Sequence, residues 1–261
     1  MNIYIMVDLE GISGIHHPEQ MSEGIRYEEA RRYMTWDINA CAEGCKSAGA
    51  KKVIVHDAHS GGKNALWHEL SPLIDEFIIG QKGQTQRMPL IEECDAVILL
   101  GYHAMAGTPN AVLEHTWSSA DWQNMWINGK PAGEIALDAA IAGEYGKPVI
   151  MVSGDDHTCA EARNLIPGVV TAEVKKGLSV SGASLLVKET AHELIRSRAA
   201  EAVQKAEQIT PCLLPKPIKI KLELVERGQL PSKHAKPYMT VIDGRTYEVT
   251  ADSVEIGLFR L

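Results

Sequence analysis

The chain has 261 residues and is 45% hydrophobic, enough to bury a substantial core in one large domain, or in a large domain with a small companion. With 34 acidic against 26 basic residues, a formal charge of -8 and no cluster of Lys or Arg, it lacks the electrostatic footprint of a protein that binds nucleic acid or an anionic membrane. Its cysteines, Cys41, Cys45, Cys94, Cys159 and Cys212, form an odd set without a CxxC pair, which argues against a disulfide framework and against a thiolate zinc site.

Residues 3–7 are a β-branched apolar run that meets Asp8 and Glu10 at once. The run is too short for a signal peptide or membrane span, so a cytoplasmic protein with reduced thiols is expected. Residues 27–48 carry helix formers and end at Ser47-Ala48-Gly49, a helix stop before a second apolar run at 52–56. Further runs follow at 96–100 and 148–153; such runs suit strands buried on both faces of a parallel sheet. Residues 125–131 predict a hairpin turning at Asn128-Gly129, followed by a helix over 133–145. Beyond it come a helix at 157–165, a strand at 169–175 and a long helix at 183–208. Pro211, Pro215 and Pro217 then break regular structure, and residues 218–225 and 240–249 alternate as strands, the latter turning at Asp243-Gly244. The expectation is an α/β protein: a mostly parallel sheet flanked by helices over 1–208, with a small α+β unit over 209–261.

Ligands of an open parallel sheet bind beyond the carboxyl ends of its strands. There the four strands run into Asp8 and Glu10, Asp57 and His59, His103, and Asp155 and Asp156. The spacing Asp8-Leu9-Glu10 points both carboxylates to one side if strand geometry persists. In His56-Asp57-Ala58-His59 any of three side chains could face the crevice: His56 has a core reading, Asp57 could orient a neighbouring imidazole, and His59 opens a Gly-rich loop. Glu134 sits in the first turn of a helix, where interaction with the helix dipole is a sufficient reason for it. Asp155 and Asp156 suit either a substrate ammonium or loop stabilisation, while His16, His17, His68, His192 and His234 read as solvated surface groups. Two histidines with three carboxylates supply enough ligands for two metals if one carboxylate bridges. There is no HExxH, Walker loop, dinucleotide fingerprint or Gly-x-Ser-x-Gly elbow.

In order and spacing, Val7-Asp8-Leu9-Glu10-Gly11-Ile12-Ser13-Gly14, Asp57-Ala58-His59-Ser60, Gly101-Tyr102-His103-Ala104, Thr108-Pro109 with His115, Ile127-Asn128-Gly129 with Gly133-Glu134, and Gly154-Asp155-Asp156 make nearly the whole chain resemble the zinc-dependent D-aminopeptidases of the DppA type. The resemblance implies that Asp8, Glu10, His59, His103 and Glu134 ligate two zinc ions per subunit, with Asp8 as the bridge, and that His115 is the catalytic side chain. It also implies a ring-like homo-oligomer, a pentamer or decamer, whose sites face an internal channel that admits short peptides. Two other classes remain open: a metal-dependent hydrolase of a non-peptide amide or phosphoester, and a non-enzymatic metal- or peptide-binding protein on the same fold.

Overall fold

Four near-continuous apolar runs become strands that are buried along almost their whole length. A computed structural model describes residues 1–80, 86–232 and 236–261. In chain order its elements are β1 (Asn2–Val7), α1 (Ile25–Ser47), β2 (Lys52–Asp57), β3 (Glu76–Ile78), β4 (Ala96–Leu100), β5 (Trp122–Ile127), β6 (Lys130–Pro131), α2 (Glu134–Glu144), β7 (Val149–Asp155), α3 (Asp156–Leu165), β8 (Val170–Ser179), β9 (Gly182–Leu185), α4 (Lys188–Lys205), β10 (Ile218–Leu224), β11 (Met239–Val241), β12 (Thr246–Ala251) and α5 (Val254–Leu258).

The main sheet has the order β3-β2-β1-β4-β7-β8-β9 and is parallel except for β9. The chain winds outward from β1 through β2 to β3, then crosses to β4 and winds the other way through β7 to β8. The winding therefore reverses between β1 and β4, and a crevice opens beyond their carboxyl ends. Among the helices, α1 packs on α4, α3 and α4 pack on β7 and β8, and α2 touches α3 and α5. Among the described residues no helix is long and apolar enough to cross a membrane.

The second sheet, β11-β12-β10-β5-β6, is antiparallel. Its hairpin turns at Asn128 and Gly129 as the sequence predicts, with φ of 50° and 80°. Strand β10 pairs with β12 on one side and β5 on the other, so this sheet draws strands from both sides of the proline-rich segment. One expectation fails locally. The long helix predicted over 183–208 begins only at Lys188, because residues 182–185 pair with β8 as an antiparallel hairpin. Tertiary pairing overrides the helix propensity of Ala183 and Leu185. Strand β3 is only three residues long and its apolar pattern is too short to register in the sequence.

Gly143, in α2, lies against the proline-rich segment; a Cβ built there meets the Cys212 carbonyl oxygen at 1.9 Å. Gly143→Ala is therefore expected to destabilise the fold by about 2 kcal/mol through overpacking, read as a lower urea midpoint at unchanged m-value.

Candidate metal centre

The crevice is built where loops touch. Asp8 follows β1 directly, and its amide donates to the Leu100 carbonyl of β4 (2.9 Å), while the Gly11 amide donates to the Gly101 carbonyl (2.8 Å). A Cβ at Gly11 would lie 1.8 Å from the Tyr102 oxygen, so only glycine lets the Asp8-Glu10 loop lie on the His103 loop. Gly133 does the same for Glu134: a Cβ there would meet the Met105 Cβ at 2.6 Å, two residues beyond His103.

This packing gathers the five predicted ligands. His59 Nδ1 lies 2.9 Å from Asp8 Oδ1 and 3.1 Å from Glu10 Oε2, and His103 Nε2 lies 3.4 Å from Asp8 Oδ2 and 3.1 Å from Glu134 Oε1. The two oxygens of Asp8 thus face different imidazoles. His103 Nδ1 donates to the Ala104 carbonyl at 3.0 Å, which fixes Nε2 toward the carboxylates. The ring of His115 stacks on that of His103 with centroids 4.0 Å apart and planes at 11°. His115 Nδ1 donates to the Leu113 carbonyl (2.9 Å), and its Nε2 lies 3.8 Å from Glu134 Oε1. Asp8, Glu10, His59, His115 and Glu134 line one open cavity of about 710 Å³.

Other candidates are placed elsewhere. His56 is a buried core residue whose Nδ1 meets the Tyr4 hydroxyl at 2.8 Å. Asp57 accepts from the amides of Asn64 and Ala65 and from the Asn64 side chain, which also donates to the His59 carbonyl; it shapes the His59 loop through Asn64. Asp155 caps α3 by accepting from Thr158 and also holds the Val112 amide, and Asp156 accepts from Gly177, so both stabilise loops. His68 is exposed as expected, but His16 and His192 are not solvated surface groups: His16 Nδ1 and His192 Nε2 are buried, the latter 3.4 Å from Asp37. His234 lies outside the described residues.

Asp8, Glu10 and Glu134 are each less than one-tenth exposed, and three buried carboxylates repel unless cations intervene. Burial favours the neutral acid of Asp8, yet hydrogen bonds and charge from His103 and His59 outweigh it and hold the carboxyl well below its usual range. Burial likewise disfavours charge on His59 and His103, but Glu10 and Asp8 on the first, and Glu134 and Asp8 on the second, push both imidazoles well above theirs. Glu10 Oε2 and His103 Nε2 are buried and lack hydrogen-bonding geometry to any described partner, although charged neighbours lie at 3.1 Å. Carboxylate and imidazole donors with no thiolate suit borderline zinc, and the two orphaned atoms are where a cation fits.

Sequence reasoning missed Lys175. Strand β8 alternates inward and outward until a register shift opposite Gly154 and Asp155 turns Lys175 inward next to buried Val174. No alternation rule shows such a shift. The buried ammonium donates to the carbonyls of Glu10 (2.6 Å), Ile12 (2.9 Å) and Ile15 (2.7 Å). Burial pushes its pKa down to about 7, but three acceptors at these distances need three N–H groups, which only the charged form has, so the geometry argues for the ammonium. Glu161, on α3, is a second unforeseen support. It accepts from the Met105 amide (2.8 Å), and burial raises its pKa to about 7.

Residues 1–258 match the family profile described as D-aminopeptidase. A D-aminopeptidase of Bacillus subtilis (strain 168) is 34% identical over 251 residues, covering 94% of this chain and 89% of that relative. The solved structure of the zinc-dependent D-aminopeptidase DppA from Bacillus subtilis, described as a self-compartmentalizing protease, is similar with a TM-score of 0.92 and 31% identity, over 100% of this chain and 94% of that one.

Replacing Lys175 by Met strips three buried carbonyls of their donor and frees the loop that carries Glu10. The expected outcome is a loss of stability of about 3 kcal/mol or more and a zinc affinity weakened about 10–100-fold. Thermal melts and metal analysis after dialysis check the two effects separately.

Proposed function

The chain belongs to the D-aminopeptidase family and is a zinc-dependent aminopeptidase, and we propose that Asp8, Glu10, His59, His103 and Glu134 hold two zinc ions per subunit while His115 acts on the bound peptide. The observation that supports the ligand assignment is the split of Asp8, with Oδ1 toward His59 and Oδ2 toward His103, which would let this one carboxylate serve both half-sites. Glu10 completes one half and Glu134 the other.

Bound zinc supplies Lewis acidity, polarising the scissile carbonyl and making water a usable nucleophile near neutral pH. His115 handles the proton. Because the Leu113 carbonyl takes the Nδ1 proton, the lone pair of the neutral ring sits on Nε2, beside Glu134. Nε2 takes a proton from the attacking water as the new O–C bond forms, then gives it to the peptide nitrogen as the C–N bond breaks, releasing the N-terminal amino acid and the shortened peptide.

The cavity suits a short peptide in size. By analogy with its self-compartmentalizing relative, the chain forms a ring-like homo-oligomer, a pentamer or decamer, that screens its sites from folded proteins. Its cysteines are unpaired, in keeping with the reducing cytoplasm. Residues 1–208 carry the catalytic groups, and 209–261 act as a smaller supporting unit.

Zinc-loaded protein is expected to release free amino acid from Ala dipeptides and anilides, faster for D-Ala than for L-Ala. Chelation should abolish release and added zinc restore it. Turnover of a phosphomonoester alone, or of nothing by fully metallated protein, sinks the reading. His115→Gln should lower kcat by about 10²–10⁴ while zinc content stays at two per subunit; near-normal turnover would remove His115 from the proton path.

A further inference from the structure

Arg87 lies between β3 and β4, in a stretch that carries no sequence motif. Its Nε and Nη2 donate to Asp138 Oδ1 (2.9 Å) and Oδ2 (3.0 Å), and Asp138, fully buried in α2, also accepts from the Tyr102 hydroxyl (2.7 Å). The backbone amide of Arg87 donates to Glu255 in α5. The guanidinium carbon sits over the Trp117 ring, 4.7 Å from its centroid, and the Trp117 amide donates to Glu134 Oε1 at 2.8 Å. Trp117 adopts φ of 63°, a conformation that costs a bulky residue energy and that here sets the indole under the arginine. Arginine keeps its charge at any physiological pH, and a guanidinium fixed along one edge and one face loses little entropy on binding a further partner.

The remaining nitrogen, Nη1, makes no hydrogen bond among the described residues, and the side chain is 13% exposed. Arg87 lines the same cavity as Asp8, Glu10, His59, His115 and Glu134, and no other Lys or Arg is among the described lining residues. Away from the metal ligands the wall's other charged side chain is Glu114, an acid, so beyond the metal centre Arg87 is the cationic side chain that a substrate carboxylate can meet. Trp117 joins the two ends: its ring lies under that guanidinium and its amide holds Glu134, and both Arg87 and Glu134 line the one cavity.

We propose that Arg87 binds the free C-terminal carboxylate of the substrate, so that the enzyme reads both ends of a di- or tripeptide: the amino end at the metal centre, the carboxyl end at Arg87. The proposal rests on the aminopeptidase reading above and adds a substrate class, short peptides with an unblocked carboxylate. Charge-assisted hydrogen bonds of this kind correspond to about 10–100-fold in binding.

The test compares kcat/KM of the zinc-loaded protein on Ala-Ala, in its better-cleaved stereoisomer, with kcat/KM on the same dipeptide carrying a C-terminal amide. The wild type is expected to favour the free acid about 10–100-fold, mainly through KM. In Arg87→Gln the acid-to-amide ratio should fall to about 1. A purely structural arginine, acting through Asp138, would depress both substrates together and leave the ratio where it was, which would overturn the proposal. An acid-to-amide ratio near 1 in the wild type overturns it without any variant, while leaving the aminopeptidase reading intact; failure of zinc-loaded protein to cleave either substrate overturns both. Should Arg87→Gln fold poorly, the pair Arg87→Gln with Asp138→Asn removes both buried charges at once and reads out the same ratio.

Discussion

Asp8, Glu10 and Glu134 are buried around two imidazoles, Asp8 between them, Glu10 at His59 and Glu134 at His103, and this concentration of negative charge governs the architecture around it. Two like charges 4 Å apart at an effective dielectric of 20 repel by about 4 kcal/mol, too much for a marginally stable fold to hold uncompensated. Polar groups meet the cluster from several sides. The imidazoles of His59 and His103 flank it, the Lys175 ammonium gathers the backbone of the Glu10 loop from behind, and Arg87 stands with Asp138 on the cavity side. Divalent metal completes the balance, and the orphaned Glu10 Oε2 and His103 Nε2 mark where it is wanted.

The legible part of this arrangement followed from topology. Parallel strands buried on both faces announce themselves as apolar runs, and the polar residues at their carboxyl ends converge because the winding reverses between β1 and β4. Asp8, Glu10 and His103 were visible for that reason, alongside Asp57, Asp155 and Asp156, while the choice of His59 over its neighbours rested on the family resemblance. Glu134 was visible as a helix start, but nothing in its spacing placed it opposite His103; the approach of Gly133 to Met105 does so, and that is a contact between distant loops. Lys175 and Arg87 were hidden for related reasons. The first faces inward only because of a register shift against β7, and the second reaches the cavity only through partners in α2 and in the loop that follows β4. The helix predicted over 183–208 erred at the end where a hairpin competes with it, and His192 drew its buried setting from Asp37 on another helix. Local pattern shows what a segment can be, and long-range packing decides which of those options it takes.

The two ends of the cavity are built differently, and the difference bears on how such an enzyme can change substrate. At the metal end the side chains leave strand termini or the first turn of a helix, and their loops are locked by glycine contacts and by Lys175. At the other end the wall is the segment between β4 and β5. It holds Asn110, Leu113 and Trp117 at positive φ, three non-glycine residues in a conformation that persists only where surrounding contacts enforce it. Asp155 and Glu134 supply some of those contacts, through the amides of Val112 and Trp117. The loop is therefore tied to the metal end at fixed points, while Glu114 and Ser118 hold it internally through the Gly107 amide and Asp121. A substitution at Ser119 or Ala120, exposed residues of the same wall, can reshape it without moving a metal ligand, whereas a change at Trp117 disturbs the face on which Arg87 rests and the amide that orients Glu134 together. Chemistry and specificity are separable along most of this loop and are joined at Trp117, the residue through which the arginine and the metal centre share one support.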